Sequence, residues 1–231
     1  MKNKKRLFVL GLIGFLPLAS FAQMPTQNAA GPSIASLGTP TFSGTGCSAS
    51  NTSFTSSPDN KAISFIFDQY AAYAGAGAQG QNKPSDGRTC NVSIPINLPA
   101  GVRVAIKSAQ YRGFVALPSG GSAAISARYR FADTARTKYS PGITKAFQGP
   151  VTSTFDFQTA EDPATIYSGC GGKTTLVLSS WMNVYTNSSN GSVQMVVDSL
   201  DGALNPKWAV DLVYESCIPV RHYPYLPPSP L

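Results

Sequence analysis

The stretch CNVSIPINLPAGVRVAIKSAQYRGFVAL, residues 90–117, begins at a cysteine and then alternates apolar and polar side chains. Val92, Ile94 and Ile96 share one face, and the same alternation resumes after Pro99-Ala100-Gly101. A period of two is typical of a strand with one buried face, and Pro and Gly favour a tight turn. The stretch therefore predicts two strands around a short connection.

The same alternation recurs along the rest of the chain. The further segments that show it are KAISFIFDQY (61–70), AAISARYRF (123–131), TSTFDFQ (152–158), TTLVLSSWMNVYT (174–186), SVQMVVDSL (192–200) and WAVDLVYESC (208–217). No βαβ pattern and no internal repeat accompanies them. About nine short strands separated by turn residues predict an all-β fold, an antiparallel β-sandwich of jelly-roll type.

Two connections carry specific expectations. NSSNG, residues 187–191, joins two strong strand patterns and predicts a hairpin. YAAYAGAGAQGQN, residues 70–82, is rich in alanine, but its glycines oppose a helix. We expect that segment to be a loop that leaves a strand.

The N-terminus predicts export. Four basic residues within 2–6 precede an apolar run at 7–18, and Ser20-Phe21-Ala22 offers the small residues of a cleavage site, so residues 1–22 are a predicted signal peptide. Removing its four cations from the total of 18 leaves 14 against 11 acids, a net charge of +3. We therefore expect a secreted protein, extracellular or periplasmic, with no transmembrane segment after cleavage and no nucleic-acid partner.

The remaining chain divides by composition. Residues 23–46 form a lead-in rich in Ser, Thr, Gly and Pro that we interpret as a linker or loosely packed segment, and 47–217 form one sandwich domain. The tail at 218–231 is rich in proline and predicts either a polyproline II segment that binds a partner or an extended end.

The four cysteines, Cys47, Cys90, Cys170 and Cys217, predict two disulfides in an exported protein. Three pairings are possible. We favour Cys47–Cys90 and Cys170–Cys217, because each would join one end of the domain. No two cysteines have C-x-x-C spacing and the single histidine lies in the tail, so we expect neither a zinc site nor a cofactor.

The order of several short motifs is similar to that of a known family. These motifs are Gly44–Cys47, Ser57-Pro58-Asp59, the block from Cys90 through IKSAQYRGF, Gly149-Pro150, Cys170-Gly171, Asp198 with Asp201-Gly202, and Cys217. Across residues 44–217 the chain resembles the secreted domain-of-unknown-function family 4360. The resemblance implies export and a β-rich domain. It implies no activity and transfers no catalytic residue, and it does not extend to the tail.

Elimination leaves few routes to catalysis, so we assign no catalytic residue and no metal ligand. A Ser-His-Asp or Cys-His site needs a histidine, and none lies within 47–217. The segment DSLDGALN, 198–205, fits turn chemistry better than a calcium loop. A pair of carboxylates of the glycosidase kind stays open, and the acids that fall on polar strand faces are Asp68, Asp156, Asp198 and Asp211.

The candidate binding residues are Tyr111, Arg112, Arg128 and Arg130. Tyrosine and arginine are residue types that anchor interfaces and stack on ligands. The structural interpretation is a tyrosine in the core, an arginine in a surface ion pair, and Gly113 at a bulge.

Three functional hypotheses follow from these residues. The first is a non-catalytic secreted module that binds a glycan, the cell envelope or a protein partner. The second is a secreted hydrolase that uses two carboxylates. The third is a structural envelope subunit that self-associates through an exposed strand edge.

Overall fold

The structure is a computed structural model that describes residues 35–77, 79, 82–132, 139–140, 142–158, 166–187, 191–197 and 208–217. The predicted signal peptide, the first part of the lead-in and the proline-rich tail lie outside the described residues. All regular secondary structure within the described residues is β-strand.

The described residues form thirteen strands. They are β1 (Ser36–Leu37), β2 (Thr41–Ser43), β3 (Thr52–Ser56), β4 (Ala62–Phe67), β5 (Ala71–Gly75), β6 (Ser85–Leu98), β7 (Val102–Leu117), β8 (Gly121–Phe131), β9 (Ile143–Gln148), β10 (Val151–Gln158), β11 (Gly172–Thr186), β12 (Ser192–Val196) and β13 (Trp208–Ser216). The predicted lead-in thus contributes β1 and β2, which both pair with β6.

The strands form two antiparallel sheets that pack face to face. Sheet A has the order β1-β6-β11-β8-β9, with β2 also beside β6. Sheet B has the order β3-β4-β13-β7-β12-β5, with β10 also beside β7. The predicted antiparallel all-β sandwich is confirmed.

The short connection in the stretch 90–117 joins the two sheets. The Val102 N–H donates to the Pro99 carbonyl at 3.2 Å, and Gly101 has a φ of +77°, a value that glycine adopts without strain. The two predicted strands are confirmed as β6 and β7. However, β6 belongs to sheet A and β7 to sheet B, so each pairs with other strands.

Strand β7 organises sheet B because it is long enough to have two partners in succession on one edge. It pairs with β13 over Val102–Tyr111 and with β12 over Phe114–Ala116. Strand β10 pairs with β7 over Gln110–Leu117, which overlaps both of those ranges and therefore occupies the opposite edge. The sheet register slips once between β7 and β13, between Asp211 and Leu212.

The core lies between the sheets and follows from the alternation. Inward residues of sheet A, such as Ile94 and Leu178, and of sheet B, such as Phe65 and Trp208, are at most 1% exposed. Each such side chain stabilises the fold by about 1.5–3 kcal/mol relative to an exposed position. One polar contact also crosses the core, between the hydroxyls of Tyr70 and Ser180 at 2.8 Å.

Both favoured disulfides are confirmed. Cys47–Cys90 and Cys170–Cys217 are bonded, so no described cysteine is free. The first bond is buried and attaches the segment after β2 to β6. The second joins the segment before β11 to the end of β13 and is partly exposed at Cys170.

Two expectations about connections are wrong. Residues 71–75 of the predicted loop form β5, which pairs with β12, because small alanine side chains fit against the neighbouring core without producing a clear apolar alternation. The predicted hairpin across 187–191 does not form. Strand β11 lies in sheet A and β12 in sheet B, so the turn residues there connect the layers instead of two paired neighbours.

Candidate functional site

The structure separates the four predicted binding residues. Tyr111 lies in the core at 3% exposure, with its ring stacked on Phe157 at 5.2 Å and 5.3 Å from the ring of Trp208. Burial of the phenol raises the pKa of Tyr111 well above its ordinary value. The side chain is therefore a packing element that no surface ligand reaches.

Arg112 lies on the outer face of sheet B in an ion pair. Its Nε donates to Asp156 Oδ2 at 2.7 Å, and Gln110 Nε2 donates to Asp156 Oδ1 at 2.8 Å. Arg112 and Asp156 are also directly opposite each other in the ladder. The guanidinium is thus already partnered by protein.

Gly113 completes the Tyr111-Arg112-Gly113 triplet and sits in a regular ladder position opposite Phe155, so the expected bulge is wrong. A Cβ there would lie 2.1 Å from the Val196 carbonyl oxygen and 2.5 Å from Phe155 Cζ. The glycine is required because another strand and an aromatic ring approach its backbone.

Arg128 and Arg130 lie on β8, at outward positions of sheet A on the other side of the sandwich. The Arg128 Cζ lies 4.0 Å from the centroid of the Tyr139 ring and 5.5 Å from that of Trp181. The Arg130 Cζ lies 5.5 Å from the same Tyr139 ring. These are cation–π contacts in which the rings hold the two guanidinium groups at the surface. We call these four residues the arginine–aromatic cluster.

Tyr139 and Trp181 are functional candidates that the sequence reasoning missed. Trp181 lies between buried Ser180 and Met182 in β11, so its position in the alternation assigns it to the polar face. A tryptophan at an outward position is a signal that was available in the sequence. Tyr139 lies between β8 and β9, outside any strand, so no periodicity indicates its position.

Local hydrogen bonds place Tyr139 against the sheet. The Ser140 N–H donates to the Tyr129 carbonyl at 2.8 Å, and the Tyr129 N–H donates to Ser140 Oγ at 3.0 Å. Gly142, with a φ of +79°, then directs the chain into β9 close to the Ala127 carbonyl. This reciprocal pair leaves the adjacent Tyr139 ring beside the arginines.

Polar side chains surround the cluster on the outer face of sheet A. Outward neighbours of the cluster include Asn91, Ser126 and Asn183, and Tyr185 at the end of β11 is 50% exposed. None of the outward positions on the described strands of sheet A is Asp or Glu. The face therefore combines rings, hydroxyls, amides and positive charge.

Three acids, Asp156, Asp211 and Glu215, lie on the outer face of sheet B, and each is beside a hydrogen-bond donor. Asp211 accepts a hydrogen bond from Ser108 Oγ. Glu215 accepts from Arg103 Nη2 at 2.9 Å and from the Tyr167 hydroxyl at 2.9 Å. The hydrogen bond from Arg103, then that from Tyr167, lowers the pKa of Glu215. These carboxylates act as partners for neighbouring side chains.

Two of the acids considered for a glycosidase-type carboxylate pair, Asp156 and Asp211, lie on sheet B and are each hydrogen-bonded to a residue of β7. They flank β7 on opposite edges and align with Arg112 and Ser108, four residues apart. Strand spacing and rise put their Cα atoms about 16 Å apart. Asp68 follows β4 and is exposed.

Asp198 and the segment DSLDGALN lie outside the described residues. Among the residues that are described, no group of three or more His, Cys, Asp or Glu side chains is arranged to hold a metal ion. No helix of membrane-spanning length and hydropathy occurs in that part of the chain either.

Comparison with known proteins places the chain in a family. The family model described as a domain of unknown function (DUF4360) matches residues 33–217, which includes every described strand. The chain belongs to this family. The family match confirms the resemblance found in the short motifs, and it begins before β1, in agreement with the pairing of β1 and β2 in sheet A.

The chain is also similar to an uncharacterized secreted protein of Arthroderma benhamiae. The two are 27% identical over 201 residues, which cover 85% of this chain and 79% of the relative. Two disulfides and a secreted relative agree with the export signal, and the predicted secreted localisation is confirmed.

Proposed function

We propose that this secreted protein is a non-catalytic binding module that holds a glycan against the outer face of sheet A. The observation that carries the proposal is the arginine–aromatic cluster, in which Trp181 lies beside Arg128 on a face whose outward positions on the described strands hold no carboxylate. Sugar rings present apolar C–H faces that pack on aromatic rings, while their hydroxyls need the polar side chains found around Trp181.

The flat geometry of the site supports a polymer over a small ligand. Trp181 and Tyr185 are four residues apart on β11, so they point to the same side and are separated by about 13 Å. Two rings on one strand offer two stacking positions along a line. Lectin domains of jelly-roll fold likewise bind sugars, which is an analogy at the level of the fold.

The non-catalytic part of the proposal rests on side-chain chemistry. All four cysteines are in disulfides, and the single histidine is His222 in the tail. A histidine-activated nucleophile within the domain is therefore absent from the sequence. No specific observation favours the hydrolase or the envelope subunit over the binding module.

The test is depletion of the purified protein from solution by isolated cell walls and by a panel of insoluble neutral and acidic polysaccharides. We expect retention on at least one, and Trp181→Ala should weaken that retention about tenfold or more. The matched control is Ile66→Ala, because Ile66 is 44% exposed on the outer face of sheet B.

Equal retention of the Trp181→Ala and wild-type proteins would refute the use of this face. Release of reducing sugar from a retained polysaccharide would refute the non-catalytic assignment. Circular dichroism of both variants establishes that a loss of retention reflects the surface and not the fold.

A further inference from the structure

Building on the proposed function, we infer that the glycan is an acidic polysaccharide. Its negatively charged groups contact Arg128 and Arg130, and its sugar rings lie on Trp181 and Tyr185. The inference names the ligand chemistry that this face selects, which goes beyond glycan binding as such.

The first support is the charge of the face. Outward positions on the described strands of sheet A hold Arg128, Arg130 and Lys173 and no Asp or Glu. Cations that cluster without acids create a local positive potential that attracts anions. A neutral glycan can accept hydrogen bonds from these side chains, whereas a polyanion also gains the Coulomb attraction of each charge.

The second support is the state of the two guanidinium groups. Within the described residues, neither Arg128 nor Arg130 forms an ion pair, and both guanidinium groups contact aromatic rings, those of Tyr139 and Trp181. A guanidinium stacked on a ring still directs its N–H donors outward in its own plane. That plane is suited to bidentate bonds with a carboxylate or phosphate.

The contrast with the other arginines strengthens this point. Arg112 donates to Asp156 and Arg103 donates to Glu215, so those guanidinium groups are neutralised by the protein. Arg88 is likewise beside Asp86 at 3.1 Å. Ring contact alone does not make the difference, because the Arg103 Cζ also lies 3.8 Å from the centroid of the Tyr167 ring. The difference is that the strands next to β7 supply acids, whereas the described strands next to β8 have none at an outward position.

The third support is the linear order of the groups. In the ladder Arg130 lies opposite Val177 and Arg128 opposite Ser179, both on β11, and the same outward row continues to Trp181 and Tyr185. The charges and rings therefore follow one direction over eight residues of strand, about 27 Å. An extended polymer that carries acidic groups on successive sugars can contact charges and rings together.

The experiment uses two polymer pairs, in each of which one member is acidic and the other has the same sugar backbone without the charge. They are polygalacturonate with its full methyl ester, and a phosphomannan with its dephosphorylated form. Affinity of the purified full chain is measured by titration calorimetry or affinity electrophoresis at low ionic strength. We expect at least one acidic polymer to bind about tenfold or more tightly than its neutral counterpart, and the pair that differs identifies carboxylate or phosphate.

Matched variants assign the effect to the cluster. Arg128→Gln and Arg130→Gln should each reduce the affinity for the acidic polymer towards that of the neutral one, while Arg112→Gln on the opposite face should leave it unchanged. Arg128→Lys keeps the charge but loses the planar donor fork, so we expect intermediate affinity.

Each remaining outcome is decisive. Equal affinity for both members of both pairs, with dependence on Trp181, would overturn the acidic-polysaccharide inference and leave glycan binding intact. Tighter binding of the acidic polymers that Arg128→Gln does not reduce would also overturn it. Binding of none of the four polymers would overturn this inference and weigh against the proposed function as well.

Discussion

Arginines on the outer faces of the two sheets have different partners. On sheet B, Arg103 and Arg112 lie beside Glu215 and Asp156, and each guanidinium donates to a carboxylate. On sheet A, Arg128 and Arg130 lie beside aromatic rings. An arginine at an outward strand position therefore covers surface or presents charge according to what the adjacent strand supplies.

The comparison also distinguishes residues that pack in the core from residues that are exposed to a ligand. In the Tyr111-Arg112-Gly113 triplet, the tyrosine and the glycine serve the core and the arginine serves an ion pair. Trp181, by contrast, is placed outward between two buried neighbours. The triplet that resembles a binding motif in the sequence therefore stabilises the fold, while the candidate site uses a tryptophan from β11.

The largest effect on stability is expected for Gly113→Ala in β7. The new methyl group would meet the Val196 carbonyl oxygen and the Phe155 ring, and such overpacking lowers the free energy of unfolding by about 1–3 kcal/mol. Gly87→Ala on sheet A is the matched control. A Cβ at Gly87 would lie 2.8 Å from Asn183 Oδ1, the movable end of a side chain. Urea denaturation compares the two variants, and equal losses would contradict the structural role of Gly113.

The next largest effect is expected from ionic strength, which should change ligand affinity at sheet A more than the stability of the fold. Raising salt from about 50 mM to about 500 mM shortens the Debye length several-fold, so affinity for an acidic polysaccharide should fall about tenfold or more. The stability of the fold should change little, because the ion pairs on sheet B are exposed and contribute little. Calorimetric titration and thermal denaturation over the same salt series measure both quantities. A salt-independent affinity would show that Arg128 and Arg130 do not contribute charge to binding.

A smaller effect is expected when the ion pair on sheet B is broken. Arg112 and Asp156 have side chains that are 42% and 48% exposed, so solvent screens their attraction. Arg112→Ala should lower the free energy of unfolding by less than about 1 kcal/mol, and a double-mutant cycle with Asp156→Ala should give a coupling in the same range. A coupling of several kcal/mol would contradict the interpretation of Arg112 and Asp156 as a solvent-screened surface ion pair.

The smallest effect is a pH dependence confined to sheet B. The pKa of Glu215 is lowered from its ordinary value of 4.5, chiefly by Arg103, so its ionised form favours the folded state. This contribution is fully present above pH 4.5 and is lost as the pH falls through the lowered folded-state value. Thermal denaturation from pH 7 to pH 3 should show a smaller acid loss in Glu215→Gln than in the wild type. An identical acid limb in the two proteins would exclude Glu215 as a contributor.

Tyr167 belongs to the same group and shows the opposite sign. Its hydrogen bond to Glu215 raises the pKa of the Tyr167 hydroxyl above its ordinary value of 10. Its contribution is therefore present below pH 10 and is lost as the pH rises through the raised folded-state value. The outward positions on the described strands of sheet A contain no carboxylate. We therefore expect no change in the charge of these side chains between pH 7 and pH 3.

Much of the fold was predictable because the alternation of side chains is local. The strands around residues 90–117 follow from a period of two. The sequence left three disulfide pairings open, and the structure has the favoured one, in which each bond joins one end of the domain. Strand β5 was missed because its side chains are small, and the hairpin at 187–191 was wrong because turn residues do not specify which layer follows.

The candidate site was predictable only in part. Arg128 and Arg130 were found from their polar positions on β8, but Arg112 was grouped with them although it lies on the other sheet. Sequence alternation states that a residue points outward, and it does not state outward from which sheet. Trp181 became a candidate only when the ladder placed β11 beside β8.

The amino-acid sequence alone determined that this chain is exported, cross-linked and built from half-buried strands, because those properties depend on residue type and on neighbours two positions apart. The assignment of strands to two layers, and with it the separation of the arginines that contact carboxylates on sheet B from Arg128 and Arg130 on sheet A, was decided only by the tertiary structure. Contacts between strands far apart in the chain depend on which edges meet, and no local pattern encodes that choice.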